Sequence, residues 1–273
     1  RALVDQGLGE PKSRDRGEVQ LEERARAEKA AALEQVFRAR LSVLIGAAGT
    51  GKTTLLRMLC AVPGMGNKDV LLLAPTGKAR VRLEEETGRR GSGKTLAQFL
   101  LRHRRYDAQT GAYFPNRGAP RCEEFGTVIV DECSMLTEDQ LAALFDACTN
   151  VDRYVLVGDP RQLPPIGAGR PFVDIITELA PGGVEASFPR CAPSYAELTI
   201  PRRQRASGSD DMLMALHYGG RSMDPGADEV WDHLAAGRGR TGLRTVQWSD
   251  PHDLQVKIVA ELVSALDLEG PDD

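Results

Sequence analysis

The 273-residue sequence predicts an α/β fold in which helices cover both faces of a mostly parallel sheet. The first observation behind this prediction is that short apolar runs alternate with longer helix-forming segments, the order that right-handed crossovers produce. The second is that one apolar run leads directly into a glycine-rich turn and then into an apolar helix. A chain of this length can form one large domain or two modest ones, each with a buried core.

The first twenty residues show no periodic pattern of apolar residues. Residues 1–20 are polar and have no apolar period, so we expect them to be loose, whereas 21–38 is rich in Ala, Leu, Glu and Arg and predicts a helix. Apolar runs predict four buried strands, over 41–45, 69–74, 127–131 and 153–159. Further helices are predicted over 53–62, 77–87, 94–103 and 137–148.

The pattern changes after Gly167. The later predictions are a helix over 170–179, a Pro- and Gly-rich loop over 181–194, short helices near 209–217 and 228–236, a strand over 242–248 and a helix over 250–266. Asp250 is a plausible N-cap for the last helix, with Pro251 at its first position.

This order predicts three parts of the chain. They are a polar lead-in (1–28), a first domain (29–200), and a linker with the beginning of a second domain (201–273). Because the first residue is Arg1 rather than Met, we expect a slice of a longer polypeptide.

Composition limits the class of protein. No apolar run approaches a membrane span, and the start of the chain lacks the pattern of a secretory signal. The five cysteines are scattered, with none in a CxxC pair, so neither a zinc site nor a disulfide scaffold is expected. These features predict a cytoplasmic protein.

Charge is unevenly distributed along the chain. The net charge is −4, yet from Lys78 to Arg121 there are eleven Lys and Arg against four Asp and Glu. Such a segment is either a solvated, helix-rich face or a strip that contacts nucleic-acid phosphates, and charge alone leaves both interpretations open.

A phosphate loop is predicted from Gly46 to Thr53, where GAAGTGKT matches the pattern G-x-x-x-x-G-K-[ST]. Glycines let backbone N–H groups converge on the phosphates, Lys52 reaches the terminal ones, and the Thr53 hydroxyl holds Mg²⁺. The helix that follows adds its positive N-terminal end to the same anionic site. The predicted nucleotide-binding residues are Gly46, Gly49, Thr50, Gly51, Lys52, Thr53 and Thr54.

The same pattern occurs a second time, over 88–95. This match follows a charged segment, with no strand to hold the loop at a sheet edge. The first match therefore predicts the nucleotide site, and Lys94 in the second is a possible contact to a nucleic-acid backbone.

Polar side chains follow two further predicted strands. Asp131 and Glu132 end an apolar strand, which with a phosphate loop upstream predicts that Asp131 holds Mg²⁺ through its waters and that Glu132 orients and deprotonates the attacking water. Gln162 lies in a proline-rich loop after another strand, where it could contact the γ-phosphate and report its loss. A strand ending at a polar turn is the plainer interpretation of each segment taken alone.

Five segments together resemble superfamily 1 helicases, and most closely the RecD-like (exonuclease V alpha subunit-like) branch. They are GAAGTGKTT (46–54), APTGKAR (74–80), VIVDECSML (128–136), VGDPRQLPPIGAG (157–169) and TIPRRQR (199–205). Their order covers roughly residues 30–205, and the GDPRQLPP form separates superfamily 1 from DEAD-box proteins.

The resemblance implies RecA-like domains with ATP and Mg²⁺ between two of them and single-stranded DNA across the top. It assigns Lys52, Glu132 and Gln162 to catalysis, together with Arg203, which matches an arginine that approaches the γ-phosphate. The implied partners are single-stranded DNA and the rest of the longer polypeptide. The implied DNA contacts are Thr76, Lys78, Arg80 and Thr95.

Two departures from the family pattern limit what it implies. The family usually has an adenine-reading glutamine near the position of Lys29, and the later motifs of the second domain, including its second catalytic arginine, are absent from these 273 residues. The leading hypothesis is an ATP-dependent DNA helicase or translocase motor. An RNA helicase of the same superfamily, or a nucleotide-dependent switch or binding module in a larger assembly, remains open.

Overall fold

The computed structural model describes residues 1–9, 15–62, 69–200, 232–237 and 246–266. The chain divides into two compact units, Arg1–Arg205 and Ala206–Asp273. The predicted boundary between residues 28 and 29 falls inside a helix of the first unit.

The first unit contains seven helices and seven strands among its described residues. The helices are α1 (Ala2–Leu8), α2 (Arg16–Arg38), α3 (Lys52–Cys60), α4 (Gly77–Thr87), α5 (Leu96–Arg102), α6 (Glu138–Ala147) and α7 (Pro171–Leu179). The strands are β1 (Leu41–Gly46), β2 (Asp69–Ala74), β3 (Gly93–Thr95), β4 (Phe125–Val130), β5 (Arg153–Gly158), β6 (Arg190–Ala192) and β7 (Tyr195–Leu198). Single 3₁₀ turns lie at Cys133–Met135 and Val184–Ala186.

The seven strands form one sheet in the order β3-β2-β4-β5-β1-β7-β6. Every neighbouring pair is parallel except β6 with β7. The carboxyl ends of β1, β2, β4 and β5 therefore meet at one edge of the sheet, which is where open α/β sheets bind ligands.

Two hydrophobic layers enclose the sheet. In β1, Leu44 packs into the layer formed with α1 to α4, whereas Val43 and Ile45 pack into the layer formed with α5 to α7. This alternation follows from the two-residue period of a strand and confirms that helices cover both faces.

Side-chain caps fix several helix starts, although α2 begins at Arg16 rather than at the predicted residue 21. The Asp15 carboxylate accepts from Glu18 N (3.0 Å) and begins α2. Thr95 and Thr137 each form a capping box with the glutamine three residues later. Gly88, with φ 74°, ends α4 in the left-handed conformation that glycine adopts without steric cost.

The prediction of a loose segment over 1–20 is wrong. Ala2–Leu8 is helical and Val4 is fully buried against the layer that includes α3, while the Arg26 guanidinium pairs with Asp5 (3.1 Å) and Glu22 (2.8 Å). A seven-residue helix with one anchoring side chain has too little apolar period to be recognised before its packing partner is known.

Three strands were not predicted. Residues 94–103 were expected to be wholly helical, but Gly93–Thr95 pairs with β2 before α5 begins. The expected loop over 181–194 contains β6, and β7 follows it. These strands are three or four residues long, so their formation depends on an already assembled neighbour rather than on a local pattern.

In the second unit the described structure is chiefly one helix, α8 (Pro251–Leu266). The predicted N-cap is confirmed, because Asp250 Oδ1 accepts from Asp253 N (3.0 Å) and His252 N (2.9 Å). Residues 246–248, expected to end a strand, belong to none, and 232–235 are helical. The predicted helix over 209–217 lies outside the described residues, and no helix within them is long and apolar enough to cross a membrane.

Candidate nucleotide-binding site

The phosphate loop joins β1 to α3 as the sequence predicts. Gly49 (φ 79°) and Gly51 (φ 91°) both adopt the left-handed conformation, so a side chain at either position would be strained. At Gly46 the constraint is space, because a Cβ there would lie 2.7 Å from the Leu198 carbonyl oxygen. The glycines thus let the loop turn tightly over the end of β1 and beside β7.

Two side chains fix the shape of this loop. Thr50 is fully buried and its hydroxyl donates to the Ala47 carbonyl (2.8 Å). Lys52 Nζ donates to the carbonyls of Gly46 (2.7 Å) and Ala47 (3.2 Å). The ammonium is therefore folded over the loop, at the place where a bound phosphate would meet it.

Three of the four predicted catalytic residues and both predicted magnesium ligands converge on one pocket beside the loop. Lys52, Thr53, Asp131, Glu132 and Gln162 all contribute to its lining. The complete lining is Ala47, Ala48, Gly49, Gly51, Lys52, Thr53, Thr54, Arg82, Glu86, Asp131, Glu132 and Gln162. Of the predicted nucleotide-binding residues, Gly46 and Thr50 lie behind the loop and support it.

The two acidic residues after β4 differ in environment. Burial, assisted by the neighbouring Glu132 charge, raises the pKa of Asp131 to about 6. Asp131 Oδ1 accepts from Glu132 N (3.0 Å), and Glu132 has φ 54°, a left-handed conformation that is strained for a residue with a side chain. Buried Glu132 Oε2 has no hydrogen-bond partner among the described residues, so this carboxylate has acceptor capacity to spare at the pocket.

These donors fit a magnesium ion accompanied by phosphates. Mg²⁺ prefers oxygen ligands and commonly uses one or two protein groups plus substrate phosphates and water. The Thr53 hydroxyl and the Asp131 carboxylate are oxygen donors that line the same pocket. Repulsion from Glu132 and burial make ionised Asp131 unfavourable, and a bound cation would relieve that cost.

Gln162 reaches the pocket from a braced loop after β5. Its backbone N–H donates to the Asp159 carbonyl (3.0 Å), and the Asp159 carboxylate accepts from Arg161 N (3.2 Å). At Gly158 a Cβ would lie 2.8 Å from the Phe172 ring, so α7 packs directly against the start of this loop.

Sequence reasoning missed two residues of the lining, Arg82 and Glu86. Both lie on α4, and Arg82 Nε donates to Glu86 Oε1 (2.9 Å). Their four-residue spacing is a recognisable helical ion pair, but nothing in the sequence says which way that side of α4 faces.

Lys29 lies against the phosphate loop with its charge buried. The residue is 2% exposed, and its Nζ has no hydrogen-bond partner among the described residues. A Cβ at Gly51 would lie 3.0 Å from Lys29 Cε. Burial lowers the pKa of Lys29, and the adjacent Glu28 charge opposes that shift. Glu28 in turn accepts from Thr199 N (2.7 Å), which connects α2 to the end of β7.

Two of the predicted DNA contacts are helix caps at neighbouring strand ends. Thr76 accepts from Ala79 N (3.2 Å) at the start of α4, and Thr95 accepts from Gln98 N (3.2 Å) at the start of α5. Thr95 pairs with Ala74 in the register of β2 and β3, so both threonines lie at the carboxyl edge of the sheet. Lys78 is exposed beside them.

Arg80 is more constrained than the other candidates. Its guanidinium pairs with Glu84 (3.1 Å), and the Glu84 carboxylate also accepts from Gly93 N (2.6 Å). Arg80 therefore helps to hold β3 against α4, and a DNA contact by Arg80 must compete with this ion pair.

The basic segment from Lys78 to Arg121 is less available than its charge count indicates. Arg105 is fully buried, pairing with Asp146 (2.8 Å) and donating to four backbone carbonyls. Five of the eleven basic side chains have hydrogen-bond or ion-pair partners within the first unit, namely Arg80, Arg82, Arg89, Arg105 and Arg121. Fewer basic side chains are therefore available to contact nucleic-acid phosphates than the charge count of the sequence indicates.

The second glycine-rich match occupies a different place from the first. It begins at Gly88, where α4 ends, and runs into β3. None of its residues lines the nucleotide pocket, and Lys94 Nζ lies 5.8 Å from the centre of the Phe125 ring. Arg203, predicted to approach the γ-phosphate, lies outside the described residues.

Comparison with known proteins places these features in a family. The family described as AAA domain matches residues 24–224. The chain is 37% identical over 154 residues to the ATP-dependent RecD2 DNA helicase of Deinococcus radiodurans, covering 56% of this chain and 20% of that protein. It is 34% identical over 177 residues to the RecBCD enzyme subunit RecD of Mycolicibacterium smegmatis, covering 58% of this chain and 31% of that protein. These relatives confirm the resemblance to RecD-like proteins, of whose length the chain spans less than a third.

A solved structure confirms the fold. The crystal structure of Pif1 helicase from Candida albicans matches 86% of this chain and 53% of its own chain, with a TM-score of 0.51 and 20% sequence identity. At that identity the likeness concerns the fold, and it agrees with the predicted RecA-like α/β architecture.

Proposed function

Since this chain belongs to the AAA domain family, matched over residues 24–224, we propose that its first unit is the nucleotide-hydrolysing motor domain of an ATP-dependent DNA helicase or translocase. The observation that carries this proposal is the meeting of Lys52, Thr53, Asp131, Glu132 and Gln162 in one pocket at the carboxyl edge of the sheet. The similarity to RecD-type proteins supports the helicase assignment.

The chemistry follows from the position of each group. The backbone N–H groups of the loop and Lys52 would bind the phosphates of ATP, while Thr53 and, through water, Asp131 would hold Mg²⁺. When bound, Mg²⁺ neutralises charge that develops on the phosphate oxygens. Glu132, with its spare acceptor oxygen, orients water and takes its proton, and Gln162 contacts the γ-phosphate. We assign Arg203 to the same phosphate on the basis of the family resemblance.

Single-stranded DNA is the proposed track. Thr76, Lys78 and Thr95 lie at the carboxyl ends of β2 and β3, where hydroxyl and ammonium groups can contact a phosphate backbone. Closure of this domain against a second RecA-like domain, and release after hydrolysis, would alternate the grip on the strand. We propose that residues 201–273 begin that second domain, and that the protein works in the cytoplasm.

Nucleotide binding is tested by comparing the two glycine-rich segments. We expect Lys52→Ala to abolish binding of ATP and ADP, because the ammonium over the loop is lost, whereas Lys94→Ala leaves binding unchanged. Titration of a fluorescent nucleotide against both variants measures this directly. Equal loss in the two variants would contradict the choice of the first loop.

The competing functions predict different effects of single-stranded nucleic acids on the rate of ATP hydrolysis. An RNA helicase would have ATP hydrolysis stimulated more by single-stranded RNA than by DNA of the same length. A nucleotide-dependent switch would bind nucleotide without stimulation by either. Stimulation chiefly by DNA supports the proposed motor.

A further inference from the structure

Two charged side chains enter the nucleotide pocket from α4, outside the phosphate loop and the strand ends. Arg82 and Glu86 lie one helical turn apart and both line the pocket with Lys52, Asp131 and Glu132. The predicted functions of the neighbouring residues do not account for them. A guanidinium beside a phosphate site has an obvious chemical partner, since arginine binds phosphate through paired N–H groups.

The contact between Arg82 and Glu86 is weak enough to exchange. The Arg82 side chain is 56% exposed and that of Glu86 is 27% exposed, and ion pairs at such exposure contribute little stability. The bond from Nε to Glu86 uses one of the five N–H donors of the guanidinium. Arg82 can therefore turn towards a phosphate at small cost.

The charges around Arg82 indicate which phosphate it would meet. The hydrogen bond that Arg82 donates to Glu86 is the main cause that raises the pKa of Arg82, and the charges of Asp131 and Glu132 also raise it. These two carboxylates are the proposed magnesium and water-activating groups. Arg82 therefore shares the pocket with the two residues that are proposed to act at the terminal phosphate.

We propose that Arg82 binds the γ-phosphate of ATP and that Glu86 holds its guanidinium at the pocket before nucleotide binds. This inference rests on the proposed nucleotide site and adds a catalytic residue to it. The same helix is capped by Thr76, a proposed DNA contact, so α4 would join the DNA-facing edge to the γ-phosphate. No covalent step is added, because Arg82 acts through charge and hydrogen bonds.

The test compares two ligands that differ by the γ-phosphate. Dissociation constants are measured by calorimetry for Mg²⁺ with ADP and for Mg²⁺ with the non-hydrolysable analogue adenylyl imidodiphosphate, using residues 1–273. Arg82→Ala is expected to weaken analogue binding by about tenfold or more, the usual size of a lost charge-assisted contact, and to leave ADP binding nearly unchanged. Arg82→Lys is expected to lie between the two, because it keeps the charge but loses the paired donors.

Arg90→Ala is the matched control. Arg90 is an exposed arginine close in sequence to α4 that does not line the pocket, so both ligands should bind as they do to the wild type. Glu86→Gln should weaken analogue binding when Arg82 is present, because the guanidinium is no longer held at the pocket, and leave binding unchanged in Arg82→Ala. Equal tightening in both backgrounds would assign the effect to general repulsion and overturn the holding role of Glu86.

The possible results distinguish a failure of the proposed Arg82 contact from a failure of the proposed nucleotide site. If the wild type binds neither ligand, the proposed nucleotide site is wrong. If the wild type binds both and Arg82→Ala binds the analogue equally well, the γ-phosphate contact is wrong. Equal loss of both ligands would also overturn it, since support of the loop would then explain the effect.

Discussion

At the scale of single residues, Lys29 has an ammonium that is buried without a hydrogen-bond partner in the described structure. Burying an unpaired charge is unfavourable, so the folded protein releases the Lys29 proton more readily than the unfolded chain does. Groups whose pKa is shifted in this way cluster at functional sites. Its position against Gly51 makes the nucleotide site the natural place to look for that use.

Replacing this charge should change how stability depends on pH. Because the folded pKa of Lys29 is lowered from 10.5, the unfolded chain binds more protons between the two pKa values, and stability rises with pH across that window. We expect Lys29→Met to be more stable than the wild type at neutral pH and to show a smaller rise of Tm from pH 7 towards pH 10. Parallel Tm profiles for the two proteins would argue against a buried charge at this position.

The sequence predicted which side chains lie together at the pocket wherever a polar or glycine-rich turn follows a buried strand. Lys52, Asp131 and Gln162 each follow an apolar run, and parallel strands bring their carboxyl ends to one edge. Arg82 and Glu86 could not be found in this way. Their access to the pocket depends on how α4 is rotated against α3, which side-chain packing decides rather than local sequence.

At the scale of elements, α4 and α5 begin with threonine caps that also face the proposed DNA edge. The same side chain would thus start a helix and contact a phosphate. The two roles can be separated, because aspartate caps a helix about as well as threonine but repels a phosphate backbone.

We therefore expect Thr76→Asp to keep the stability of the protein while weakening its binding to single-stranded DNA. Tm should change by no more than about 2 °C, since the cap on α4 is retained. Fluorescence anisotropy of a labelled oligonucleotide at several salt concentrations measures the binding. The control is Asn150→Asp, which adds the same charge at an exposed site preceding β5, where aspartate tolerates the positive φ of 56°. Equal weakening in both variants would mean that net charge rather than position matters.

The bounds of a helix or strand could be predicted where the sequence has a clear start and stop signal at both ends. The bounds predicted for β2 and α4 agree with the structure, because polar or glycine residues flank both. By contrast, β3 and β7 are too short to show a pattern of their own. Helix α1 was missed because a single buried residue, Val4, attaches it to the core.

At the scale of the whole molecule, every residue described as lining the pocket belongs to the unit Arg1–Arg205. Phosphate binding therefore should not require Ala206–Asp273. Under the proposed motor function, hydrolysis and movement also need groups from a second RecA-like domain, and the later motifs that the helicase resemblance implies for that domain do not occur in these 273 residues.

We expect residues 1–205 and 1–273 to bind ADP with similar affinity, to hydrolyse ATP slowly, and to leave duplex DNA unseparated. Calorimetry, a phosphate-release assay and a strand-displacement assay measure the three properties. Rapid unwinding by residues 1–273 alone would contradict the assignment of this chain to one half of a motor.

The polarity of the sheet has a practical consequence for studying the molecule. The nucleotide pocket and the proposed DNA contacts lie at the edge of the sheet where β1, β2, β3, β4 and β5 end. The turn before β5, which includes the exposed Asn150, lies at the opposite edge. A dye or a surface tether attached at that edge of the sheet would not obstruct the binding of nucleotide or of single-stranded DNA. Single molecules could then be immobilised with the nucleotide entrance facing solution, and the binding of a labelled nucleotide could be followed in real time.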